Sequence, residues 1–107
     1  MDLISQTLAR ELNRPAEQIN NVIRLLDEGA TIPFIARYRK ELHGSMDDQL
    51  LRQLADRLQY LRNLEERKAE VRRSIQEQNA LTATLAAALD AASTLAEVED
   101  LYRPFRP

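Results

Sequence analysis

Arg37, Arg39 and Lys40 lie within four consecutive positions, beside Phe34 and Tyr38, and form the most concentrated group of chemistry-bearing side chains in the chain. Three cations at that spacing can hold phosphates on a nucleic-acid backbone. They can equally serve structure by pairing with Asp27, Glu28 or neighbouring acids, and residue types alone leave both uses open. Other chemistry is sparse. His43, the single histidine, adjoins Gly44, where a helix is expected to stop. Its simplest use there is a favourable contact with the helix C-terminus. Asp47 and Asp48 are adjacent carboxylates at an expected helix start, suited to capping and to the helix dipole rather than to a metal. A nucleophilic triad needs a serine, a base and an orienting carboxylate, whereas Ser5, Ser45, Ser74 and Ser93 read as surface or capping residues. Two glycines are too few for a phosphate-cradling loop, and the absence of cysteine excludes disulfides and thiolate metal sites. These features predict a chain that is not an enzyme and carries no cofactor and no metal.

The elements that must position these groups are helices. Leu3, Ile4, Leu8 and Leu12 share one face of a first helix over about 2–12. Asn13-Arg14-Pro15 breaks it, and Pro15 opens a second over about 15–28 with Ile19, Val22, Ile23 and Leu26 inward. Gly29 closes that helix. Thr31 caps a third over 32–42, with Pro33 in its first turn, where a missing N–H costs nothing. Phe34, Ile35, Tyr38 and Leu42 recur there at helical period, and Phe34 and Ile35 are expected to be buried anchors. Gly44 stops this segment, and Ser45 with Asp48 reads as a variant capping box for the next. Helix, tight glycine turn and helix together give a helix-turn-helix-like segment.

A long central helix follows over about 46–78. Leu51, Leu54, Leu58 and Leu61 recur at 3–4 spacing, and the stripe then thins through Leu64, Val71 and Ile75. Its second half is polar on most sides, which predicts that it projects from its own core or bridges to something outside it. Arg52, Arg57, Arg62, Arg67 and Arg72 recur every fifth position. Steps of about 140° carry them round the rod instead of along one face, so no continuous phosphate-tracking stripe is expected. Thr82 caps a fifth helix, and Thr94 with Glu97 forms a capping box for a sixth. No alternating strand pattern occurs, and the reading is all-α.

Hydrophobic residues make up 44% and charged residues 30%, ordinary for one soluble domain, and the net charge is −2. That charge argues against a dedicated nucleic-acid coat. Its distribution is uneven: residues 30–73 hold ten Lys or Arg against seven Asp or Glu, while 74–102 hold five acids and no base. No apolar run reaches the roughly 20 residues that span a bilayer, and the first residues lack a signal-peptide pattern. A cytoplasmic location is expected.

Leu25-Leu26-Asp27-Glu28-Gly29-Ala30-Thr31-Ile32-Pro33-Phe34-Ile35-Ala36-Arg37-Tyr38-Arg39-Lys40-Glu41, continued by Gly44-Ser45-Met46-Asp47-Asp48, resembles the N-terminal signature of the Tex family of bacterial transcription accessory proteins. Leu61-Arg62-Asn63-Leu64-Glu65-Glu66-Arg67, Gln78-Asn79-Ala80-Leu81-Thr82 and Glu99-Asp100-Leu101-Tyr102-Arg103-Pro104 match later landmarks in order. Asn79 stands where the family often has a glycine turn. The resemblance implies a helical N-terminal module of a longer protein, with YqgF-like, helix-hairpin-helix and S1 domains downstream. It also implies that nucleic-acid binding in the family belongs chiefly to the S1 domain.

The reading is therefore a Tex-like N-terminal helical domain over 1–102, with 103–107 opening a linker to downstream domains of the same protein. Its expected role is scaffolding, with Arg37, Arg39 and Lys40 assisting weak contacts to RNA or DNA or to the transcription machinery, RNA polymerase included. The alternative is a helical protein–protein adaptor with no nucleic-acid role. That alternative would be favoured by an exposed apolar patch on 64–78, and neither reading involves a membrane.

Overall fold

The computed structural model describes residues 2–107 and consists of helices and connecting turns. In chain order these are α1 (Leu3–Leu12), α2 (Ala16–Asp27), α3 (Ile32–Tyr38), α4 (Lys40–His43), α5 (Asp48–Glu77), α6 (Ala83–Ala91) and α7 (Leu95–Tyr102), ending in a 3₁₀ turn, Arg103–Phe105. The fold is all-α, as the periodicity predicts. Two compact units divide it, Met1–Leu61 and Arg62–Pro107, and α5 runs from the first into the second.

In the first unit, each turn is set by local chemistry. Asp2 caps α1 by accepting from the Ser5 N–H. Asn13 ends it in the left-handed conformation, at φ 53°. Pro15 precedes α2, and Gly29, at φ 94°, follows its end. Leu8, Ile19, Val22, Leu25 and Ile35 bury their side chains together with Met46, Leu51, Leu54, Leu58 and Leu61 from the α5 side. Polar ties fix the packing: Ser5 Oγ donates to Asn20 Oδ1 at 2.5 Å, Asn21 Nδ2 to the Leu42 carbonyl at 2.9 Å, and Arg14 Nη1 to the Gly44 carbonyl at 3.2 Å.

Two expectations about this unit are corrected. The third helix is not continuous over 32–42: Arg39, at φ −124° and ψ 41°, breaks it into α3 and α4. Ser45 is not the cap of the long helix either. Gly44 (φ 69°) and Ser45 (φ 61°) are both left-handed, because both close α4 by donating their N–H groups to the Lys40 carbonyl. The cap moves on to Asp47, whose Oδ1 accepts from the Leu50 N–H at 2.8 Å.

In the second unit, Leu64, Val71 and Ile75 of α5 are buried together with Leu89, Ala92, Val98 and Tyr102. Thr82 caps α6 through the Leu85 N–H at 3.1 Å, and Thr94 caps α7 through the Glu97 N–H at 3.1 Å. The Glu97 carboxylate reaches back to the Ser93 N–H at 3.0 Å. The polar second half of α5 does not project. Arg67 donates twice to Glu99, at 2.7 and 2.9 Å, Lys68 Nζ to the Asp90 carbonyl at 3.0 Å, and Gln78 Nε2 to the Phe105 carbonyl at 2.8 Å. Ser74 Oγ meets the Tyr102 hydroxyl at 2.8 Å. Three apolar residues at heptad-like spacing suffice to seat α6 and α7, and the surrounding charges rim that contact.

The five-residue arginine series winds round α5 as its spacing requires. Arg57 holds Glu11, Arg67 holds Glu99 and Arg72 holds Asp90, each on a different element.

Candidate nucleic-acid interface

The exposed face of α3 is built from inside outward. Thr31 Oγ1 accepts from the Phe34 N–H at 3.3 Å, starting a helix of seven residues. Seven residues in isolation would not hold a helix. Ile35, fully buried, anchors it. His43 supplies the second anchor. Its ring is fully buried, and the Met46 N–H donates to Nδ1 at 2.8 Å. Nδ1 is thereby the acceptor, so Nε2 carries the hydrogen and donates it to the Ile35 carbonyl at 2.7 Å. The same carbonyl also accepts the Arg39 N–H at 3.3 Å. His43 is thus an internal strut from the last turn of α3 to the turn that leads into α5, not the surface dipole contact expected from its place beside Gly44. The break at Arg39 turns the ring inward.

With Ile35 inward, Phe34 and Tyr38 face out. They are 45% and 60% exposed, which corrects the expectation that Phe34 is a buried anchor. Neighbours in a helix stand about 100° apart, and with Ile35 centred on the core the Phe34 ring falls at the edge of the buried stripe. The two exposed rings lie 5.2 Å apart between centroids, tilted by 44°. Phe34 and Tyr38 are the site residues that sequence reasoning missed. Their four-residue spacing carried the signal, and only the choice of inward face was wrong.

Arg37, Arg39 and Lys40 are all exposed around this pair. The Arg37 guanidinium lies 5.9 Å from the Tyr38 ring centroid, near the outer limit of a cation–π contact. Arg39 meets Glu41 at 3.7 Å, a loose, solvated pairing. Lys40 makes no ion pair among the described residues. The structural pairing open to this cluster is therefore confined to Arg39, and Arg37 and Lys40 keep their charge available.

Elsewhere several cations are committed to carboxylates. A cleft of about 340 Å³ along α5 is lined by Lys68, Arg72 and Arg73 with Glu65 and Asp90. Arg72 pairs with the Asp90 carboxylate, and Lys68 donates to the Asp90 carbonyl and pairs with Glu65 at 3.6 Å. Hydrogen bonds from Arg67 hold the Glu99 carboxyl below its ordinary range, and the same bonds hold the Arg67 guanidinium above its own. Arg57 lowers Glu11 in the same way. No group of three metal-ligating side chains occurs among the described residues. Among those residues, too, no helix is long and apolar enough to cross a membrane.

The family profile described as Tex-like protein N-terminal domain matches residues 2–76. The chain belongs to the Tex family. It is 57% identical over 104 residues to the transcriptional accessory protein Tex of Neisseria gonorrhoeae, covering 97% of this chain and 14% of that protein. It is 50% identical over 106 residues to protein YhgF of Escherichia coli K12, covering 99% of this chain and 14% of YhgF. A human protein named S1 RNA-binding domain-containing protein 1 is 31% identical over 101 residues, which is 94% of this chain and 10% of that protein. The chain thus spans about one-seventh of the length of its bacterial relatives and corresponds to the Tex N-terminal module.

Proposed function

We propose that this Tex-like module is a non-catalytic, cytoplasmic helical scaffold that presents the α3 face to nucleic acid within the transcription machinery. The observation that supports this reading most is the unspent charge of Arg37 and Lys40 beside two exposed aromatic rings. Other cations of the chain, such as Arg57, Arg67 and Arg72, are held by carboxylates. The names of the relatives, a transcription accessory protein and a protein with an RNA-binding domain, agree with the direction of the reading. The adaptor alternative called for an apolar surface on 64–78, but Leu64, Val71 and Ile75 are buried there.

Binding by so few cations is weak. Three phosphate contacts give a salt slope of about −2 to −3 and a dissociation constant of about 10⁻⁴–10⁻⁶ M. The net charge of −2 moves it toward the weak end. A salt titration of the wild type against Arg37→Ala/Arg39→Ala/Lys40→Ala tests the reading, with circular dichroism confirming the fold. These cations are exposed, so the triple variant is expected to fold and to lose binding. No binding by the wild type at low salt would leave the scaffold role alone.

A further inference from the structure

We infer that α3 is a stacking platform for single-stranded nucleic acid: an unpaired base rests on Tyr38, backed by Phe34, while Arg37 and Lys40 take the flanking phosphates. The inference rests on the nucleic-acid reading above and specifies the form of its ligand. Tyr38 and Phe34 are 60% and 45% exposed, whereas Tyr102 is buried, so this short helix presents two of the chain's five aromatic rings to solvent. At 5.2 Å and a 44° tilt the rings lean on each other and leave no slot between them. A base is therefore received on the outer side of the pair. The guanidinium of Arg37 already lies over Tyr38 at 5.9 Å, a position from which it can exchange the ring for a phosphate next to a stacked base. Charge complementarity points to a polyanion, because of the three exposed cations at 37, 39 and 40 one alone, Arg39, is ion-paired among the described residues, with Glu41.

A duplex suits this face less well. Its bases are already stacked on one another and offer no free π-face to an exposed ring. Reading base edges in the major groove calls for side chains such as Asn, Gln or Arg directed at them. The α3 sequence Ile-Pro-Phe-Ile-Ala-Arg-Tyr holds one arginine and no amide. Stacking tolerates any base, so little sequence preference is expected.

The test is fluorescence anisotropy at low salt, using the 107-residue protein with labelled oligouridylate, labelled oligothymidylate and a labelled duplex of equal length. At least one single strand is expected to bind about fivefold or more tighter than the duplex. Comparison of the two single strands tells RNA from DNA, and a preference for either supports the inference. Tyr38→Leu is expected to lose about tenfold in single-strand affinity, and Tyr38→Phe, which keeps the ring, about twofold or less. Arg37→Ala/Lys40→Ala should flatten the single-strand salt slope by about 1.4. If the duplex binds as well as the single strands and Tyr38→Leu matches the wild type, the stacking platform is refuted while a phosphate-contacting patch survives. If the wild type binds none of the probes, the nucleic-acid reading fails and the inference with it. If sedimentation then shows a dimer that Tyr38→Leu abolishes, the face is a protein interface instead.

Discussion

His43→Ala should be among the most costly single substitutions in the first unit. The ring is fully buried and joins α3 to the turn before α5 through bonds of 2.7 and 2.8 Å. Truncation removes the Nδ1 acceptor and strands the N–H of Met46, a residue only 1% exposed, which costs about 1–3 kcal/mol. The Ile35 carbonyl suffers less, because it keeps the Arg39 N–H. Loss of that second bond adds about 0.5–1.5 kcal/mol. The space left by an imidazole adds a cavity term, for a total of about 3–5 kcal/mol. His43→Asn is the informative companion. Its carbonyl oxygen can take the place of Nδ1 and keep the Met46 bond, so about half of the loss should be recovered. Urea unfolding followed by circular dichroism reads both variants, with a constant m-value required before the midpoints are compared. A loss below about 1 kcal/mol for His43→Ala, or equal losses for the two variants, would refute the strut.

Ile35→Ala should cost about 2–5 kcal/mol, because Ile35 is fully buried, while Phe34→Ala, at 45% exposure, should cost about 1 kcal/mol or less. Paired urea melts that gave the reverse order would show that α3 is turned the other way. Stability should also fall on the acid side. Arg57 and Arg67 hold Glu11 and Glu99 below the ordinary carboxyl value of 4.5. Their contribution is therefore complete above that value and is lost as pH falls through the lower folded-state values. Both pairs are partly solvated, so together they supply about 0.5–2 kcal/mol. In Glu11→Gln/Glu99→Gln the drop in urea midpoint between neutral and strongly acid pH should be smaller by a corresponding amount, and an unchanged drop would assign acid sensitivity to other carboxylates.

Much of this fold is legible in residue order because its signals are local. Thr31, Thr82 and Thr94 cap as their hydroxyls dictate, Gly29 follows the end of α2, and the leucines of α5 bury in step with their spacing. What escaped is set by which side chains the core receives, which residue types alone do not state. Nothing in Arg37-Tyr38-Arg39-Lys40 spells a break. On an unbroken helix, residue 43 would stand about 12 Å along the axis from Ile35, beyond reach of its carbonyl. The hydrogen bond at 2.7 Å exists because the chain turns at Arg39, and the turn persists because burying the His43 ring offsets its cost. The same turn brings two left-handed residues, Gly44 and Ser45, which displaced the expected cap to Asp47. The exposed aromatics were misplaced for a related reason. Ile35 is the one buried residue of α3, and the rings at 34 and 38 lie outside the face it centres.

The candidate site and the stability of the first unit are therefore one problem. A seven-residue helix would fray alone, and a frayed helix would scatter Arg37, Tyr38 and Lys40 over many positions. Ordering such side chains at the moment of binding costs about 0.5–1.5 kcal/mol each, enough to erase a weak interaction. Ile35 in the core and the His43 strut hold α3 from within, while the polar contacts of Arg14 and Asn21 secure the α4 turn that follows it. None of these four residues belongs to the exposed patch. They fix the direction in which the patch faces, and this gives the buried interior of the unit a share in whatever affinity its surface has.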